Sequence, residues 1–96
     1  RRELETITRA DLAERLRHVP RPLVLDVRPA AEFLAGHVPG AVSVPPDELR
    51  TRVRRLPTAD DVVAYCRGAY CIYADDAVRV LRRRGVRAAR LEDGFP

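Results

Sequence analysis

Ninety-six residues are enough for one small domain with a core of its own, and 46% hydrophobic with 33% charged residues exclude a disordered chain. The basic side is entirely arginine, 18 residues against 14 acidic ones for a net charge of +4, a balance that permits contact with nucleic acid without indicating it. No apolar run approaches the roughly 20 residues of a membrane-spanning helix, and the N-terminal residues lack the apolar core of a secretory signal.

In chain order, Thr8-Arg9-Ala10-Asp11 has the form of a capping box ahead of Leu12, Ala13 and Leu16, which predicts a first helix from Thr8 to Arg17. Pro20 and Pro22 end it. Leu23-Val24-Leu25-Asp26-Val27 is a nearly continuous apolar run and reads as a strand buried on both faces. Pro29 suits a first helical turn, so Ala30 to Ala35 form a short helix that Gly36 stops. Gly40 marks a turn, and Ala41 to Val44 form another strand. Pro46-Asp47-Glu48-Leu49 opens a third helix expected to reach Leu56, with Pro57 as its stop. Val62 to Tyr65 form a strand that ends at Cys66. Ala74, Ala77, Val78 and Leu81 then recur on one helical face, and Gly85 closes that helix. Val86 to Leu91 supply a last strand, the least apolar of the set. The arginine groups at 50–55 and 82–84 fall on helices and read as solvated faces.

Strands alternating with helices over short connections imply an α/β fold with parallel pairing through right-handed crossovers. In such sheets ligands gather beyond the carboxyl ends of the strands. Both cysteines of the chain lie at such an end, in Cys66-Arg67-Gly68-Ala69-Tyr70-Cys71. A cysteine between a buried strand and a helix N-terminus sits where free backbone N–H groups and the helix dipole favour the thiolate, the nucleophilic form. Gly68 is expected to let the loop curl so that amides face inward, and Arg67 to add positive charge. The opposing reading makes Cys66 and Cys71 small buried hydrophobes. Zinc held by the cysteines with His18 and His37 is disfavoured, because no second cysteine pair completes a set.

Leu25-Asp26-Val27-Arg28-Pro29, Glu32-Phe33, Gly36 to Ala41, Val63 to Arg67 and Leu91 to Pro96 together resemble, in order, the motifs of rhodanese-like domains. The resemblance implies a central, mostly parallel five-stranded sheet flanked by helices, and a sulfurtransferase or sulfur carrier that forms a persulfide on Cys66 and passes sulfane sulfur to a nucleophile. It assigns the active-site loop to Arg67, Gly68, Ala69, Tyr70 and Cys71, makes Asp26 and Arg28 supports, and leaves Glu32 and His37 as packing and turn residues. It implies no cofactor and no metal.

The loop departs from the commonest family pattern, which carries glycine fourth and arginine sixth. Here Ala69 and Cys71 hold those places. Without the arginine a dianionic donor loses a clamp, which counts against thiosulfate. A phosphatase loop of C-x5-R type would need arginine where Ile72 stands. The Cys66 to Cys71 form is similar to that of rhodanese domains joined behind winged-helix repressors of the arsenical-resistance type, which implies a fused DNA-binding domain and, as the alternative function, a noncatalytic redox or sulfide-sensing module using both thiols. Residues 1–96 then read as a single domain cut from a longer chain, since the first residue is Arg1 and the last are Gly94-Phe95-Pro96. The expected partners are a small sulfur donor and a thiol acceptor in the cytoplasm, with no membrane and no direct nucleic-acid contact. Five residues apart, the two sulfurs are expected to come close without meeting the geometry of a direct disulfide.

Overall fold

The computed structural model describes residues 5–56, 61–68 and 71–95. Thr8 starts the first helix, α1 (Arg9–Arg15), by accepting the Asp11 N–H on its hydroxyl at 3.1 Å. Ahead of it lies a strand that the sequence reading missed, β1 (Thr6–Ile7), too short to show any alternation. β2 (Leu23–Asp26), α2 (Ala30–Ala35) and β3 (Val42–Ser43) follow where the apolar runs and Pro29 put them.

The third helix is shorter than expected. Hydrogen bonds from Glu48 N–H to the Pro45 carbonyl and from Leu49 N–H to that of Pro46 tighten its start into a 3-10 turn over Pro46–Glu48. A second such turn covers Val53–Arg55, leaving only Leu49–Arg52 as α3. Pro57, read as its stop, lies outside the described residues.

β4 (Asp61–Tyr65) leads through the cysteine loop into α4 (Ile72–Arg83), which buries Ala74, Ala77, Val78 and Leu81 as its spacing predicts. Gly85, in left-handed conformation at φ +83°, ends it while the Val86 N–H returns to the Leu81 carbonyl at 3.0 Å. β5 (Arg87–Leu91) completes the set.

All pairings are parallel, in the order β1-β5-β4-β2-β3. The least apolar strand therefore runs between two others, and Ala88 to Leu91 are all buried. Alternation along the strands splits the core in two. Leu25, Val27, Val62, Ala64, Cys66 and Ala88 face α3 and α4, whereas Val24, Val63, Tyr65, Ala89 and Leu91 pack with Ile7 and with Leu12 of α1. Among the described residues no helix is long and apolar enough to cross a membrane.

Candidate active site

Strand β4 is hydrogen-bonded on both sides, to β2 and to β5, so the residue at its carboxyl end leaves the sheet from a fixed point. That residue is Cys66. It lies in the core beneath α4 with none of its surface exposed. Its carbonyl accepts the Phe95 N–H at 2.8 Å, which ties the loop to the closing stretch of the chain.

Cys71 stands at the N-terminal boundary of α4, half-buried, and offers that helix no side-chain cap. Its N–H turns back onto the Gly68 carbonyl at 3.3 Å. This turn brings the Cys66 and Cys71 Cα atoms to 6.1 Å, within the span of about 4.4 to 6.8 Å that a disulfide bridges, and the two cysteines are bonded to each other. The expectation that the sulfurs would approach without disulfide geometry is thus corrected: the curl of the loop, which residue spacing does not reveal, closes the distance. Bonded in this way, neither thiol titrates.

Arg67 does not lend its charge to the cysteines. Its exposed guanidinium is engaged with Glu32, Nε at 2.9 Å and Nη2 at 2.6 Å from Oε2. Each partner holds the other charged, the hydrogen bond to Arg67 keeping the Glu32 carboxyl below its ordinary value and that to Glu32 raising the Arg67 guanidinium. Glu32 therefore does more than pack; it fastens α2 to the cysteine loop. His37 lies against the Phe33 ring, centroids 3.7 Å apart, and donates from Nδ1 to the Phe33 carbonyl at 2.8 Å. Ala69 and Tyr70 lie outside the described residues.

Beneath the loop, Asp26 and Arg28 form a buried ion pair at the carboxyl end of β2. Asp26 also accepts the Arg28 N–H at 3.0 Å and the Tyr65 hydroxyl at 2.7 Å. Arg28 reaches on to the Gly36 carbonyl at 2.6 Å and lies 4.2 Å from the centre of the Phe95 ring. Tyr65 Oη in turn accepts the Val38 N–H at 3.0 Å. Burial, with the hydrogen bond to Asp26, pushes the Tyr65 phenol up to about 12, so it stays protonated and donating, while the Arg28 guanidinium is raised by its bond to Asp26. The network joins β2, the end of α2, the residue before Cys66 and the residue that binds the Cys66 carbonyl.

Two positions went unread in the sequence. Arg90 on β5 is buried, donates from Nη1 to Asp75 Oδ1 at 2.7 Å and from Nη2 to the Gly68 carbonyl at 2.9 Å, and so fixes the loop to the first turn of α4. Its signal was a lone charge in the run Ala88-Ala89-Arg90-Leu91, where a buried strand obliges a partner. The other is Gly94. Gly68 is not among the left-handed glycines, whereas Gly94 has φ +79°, and a Cβ there would lie 2.6 Å from the Gly68 backbone. The glycine requirement expected at Gly68 thus falls on Gly94, because the closing stretch runs directly against the loop.

Comparison with known proteins places this arrangement. The family described as the rhodanese-like domain matches residues 8–96. A sulfurtransferase of Allochromatium vinosum is 33% identical over 92 residues, covering 88% of this chain and 86% of that protein. An HTH-type transcriptional regulator of Mycobacterium tuberculosis is 49% identical over 91 residues, 95% of this chain, and the chain spans only 40% of its length. The crystal structure of a rhodanese-related protein from Thermoplasma volcanium superposes with a TM-score of 0.81 at 27% identity, over 94% of this chain and 85% of that one. The five-stranded parallel sheet, the order of its motifs and the match over nearly all residues agree, and the chain belongs to the rhodanese-like domain family.

Proposed function

We propose that the reduced domain is a sulfur carrier. The Cys66 thiolate attacks the outer sulfur of a persulfide or polysulfide donor, forming a new S–S bond as the donor's S–S bond breaks and the donor thiolate leaves. A nucleophilic acceptor, a thiol for instance, then takes the terminal sulfur and returns Cys66 as thiolate. The observation that carries this reading is the position of Cys66 at the carboxyl end of a strand paired on both sides, its carbonyl fixed by Phe95 and its loop leading into a helix N-terminus with no side-chain cap. Family membership and the sulfurtransferase relative support it.

Loading requires the Cys66–Cys71 bond to be opened, which suits the reducing cytoplasm. With Cys71 in place of an arginine at the end of the loop, persulfides and polysulfides fit better than dianionic thiosulfate. The test is the intact mass of reduced Cys71→Ser before and after polysulfide, with the Cys66→Ser/Cys71→Ser double variant alongside. The single variant is expected to gain sulfur and the double variant to gain none. Equal sulfur uptake by both would overturn the assignment.

A second reading is favoured by the bonded thiols together with the regulator relative. In it the domain sits beside a DNA-binding domain in a longer chain, and the state of Cys66 and Cys71 is the signal rather than a step of turnover. Steady turnover with a thiol acceptor separates the two: a carrier cycles many times, whereas a sensor stops after one.

A further inference from the structure

The carrier reading leaves the second cysteine without a task, yet the fold holds it with as much care as the first. The Cys66 end is fixed by the sheet and by the Phe95 N–H, 2.8 Å from the Cys66 carbonyl. At the other end, Cys71 is set by its turn onto Gly68, whose carbonyl Arg90 holds at 2.9 Å, and by a helix anchored through Ala74, Ala77, Val78 and Leu81. The Cα separation of 6.1 Å allows Cys71 Sγ to bond Cys66 Sγ itself. In a Cys66 persulfide that atom is the inner sulfur.

We propose that the loop is a sulfane-sulfur reductase as well as a carrier: Cys71 attacks the inner sulfur of the Cys66 persulfide, closes the Cys66–Cys71 disulfide and expels hydrosulfide. The step balances within the loop. The Cys71 thiolate supplies the electron pair of the new S–S bond, the bond between the two persulfide sulfurs breaks, and its electron pair leaves on the terminal sulfur as HS⁻. The two cysteines are together oxidised by two electrons, and the sulfane sulfur is reduced to sulfide. No other oxidant enters. An external thiol or dithiol restores the pair, by attack on the half-buried Cys71 sulfur, since Cys66 exposes none of its surface in the bridged state.

Two features make the internal route faster than delivery to an outside acceptor. The attacking thiol is held on the same short loop, so the reaction is intramolecular and gains the effective concentration of a positioned group. Cys71 is already packed against the core cluster that holds Cys66, so the internal thiol needs no diffusional encounter. The product of the step is the bonded state that the structure contains.

The inference rests on persulfide formation at Cys66, and the test separates the two. Fully reduced parent, Cys71→Ser, Cys66→Ser and the double variant, desalted and kept anaerobic so that dioxygen cannot form the disulfide, are each exposed to one equivalent of glutathione persulfide. Intact mass is followed together with released sulfide, the double variant giving the background. The expected result is a Cys66–Cys71 disulfide and close to one equivalent of sulfide from the parent, against a lasting persulfide on Cys71→Ser with sulfide release at least tenfold slower. Equal persulfide lifetimes in parent and Cys71→Ser, with no linkage between residues 66 and 71, would overturn the reductase and leave the carrier intact. Failure of Cys71→Ser to gain sulfur at Cys66 would overturn both.

Discussion

Gly94 lies so close to Gly68 that a Cβ on the one would stand 2.6 Å from the backbone nitrogen and Cα of the other. Two glycines from opposite ends of the α4–β5 unit thus form one contact under the cysteine loop. Gly94→Ala is expected to destabilise the domain by about 1 to 3 kcal/mol, from the left-handed φ alone, with displacement of the loop in addition. Denaturant unfolding of the reduced variant measures the first, and the rate of Cys66–Cys71 disulfide formation, which should fall, reports the second. Gly40→Ala, also at positive φ but with open space around it, is the control that leaves that rate unchanged.

Asp26→Asn removes the charge opposite buried Arg28. Breaking a buried pair by one partner costs about 3 to 5 kcal/mol, and a loss at the lower end of that range is expected because Asn still accepts a hydrogen bond. Tyr65→Phe deletes only the hydroxyl between Asp26 and Val38 and should cost about 1 kcal/mol. Equal unfolding midpoints for the two variants would mean that the charge itself contributes nothing.

Arg90→Met keeps the length and apolar stem of the side chain while removing both of its hydrogen bonds. About 2 kcal/mol of stability should be lost, less than for a fully enclosed pair, since Asp75 remains partly hydrated. The Gly68 carbonyl is freed at the same time, so disulfide closure should slow as well. Asp75→Asn, which leaves the bond from Arg90 to Gly68 in place, should lower stability without slowing closure.

The Glu32 carboxyl is held below its ordinary value, chiefly by its hydrogen bonds to Arg67. A lowered value in the fold means that the charged form is favoured there. The tether is therefore complete above the ordinary glutamate range and is lost as pH falls through the lowered value. Carboxyl chemical shifts followed by NMR should show Glu32 titrating below the ordinary glutamate value, and Arg67→Ala should raise it.

The parts of the fold that were legible are those in which neighbouring residues carry the signal. Leu23 to Val27 and Val62 to Tyr65 are apolar without interruption, so β2 and β4 could be read directly, and with them the placing of Cys66 at a strand end. β1 was missed because two residues show no period, and β5 reads as the least apolar strand because Arg87 and Arg90 punctuate its run and Glu92 follows it, while the partners that let Arg90 be buried, Asp75 and Gly68, lie elsewhere in the chain. The bond between Arg67 and Glu32 spans 35 positions, and nothing local announces it. The disulfide was misjudged for a related reason: a separation of five residues fits an open loop as well as a curled one, and the curl depends on Gly94 and Arg90, far along the chain.

The placement of β5 between β1 and β4 governs the order in which this domain can be made. While a ribosome is still translating residues 87–95, β1 has no neighbour to pair with, and the cysteine loop lacks Arg90, Gly94 and Phe95 to shape it. Two thiols on a growing polypeptide are then only chemically ordinary cysteines five positions apart. Their proximity comes into being only once β5 has been made and enters the gap between β1 and β4.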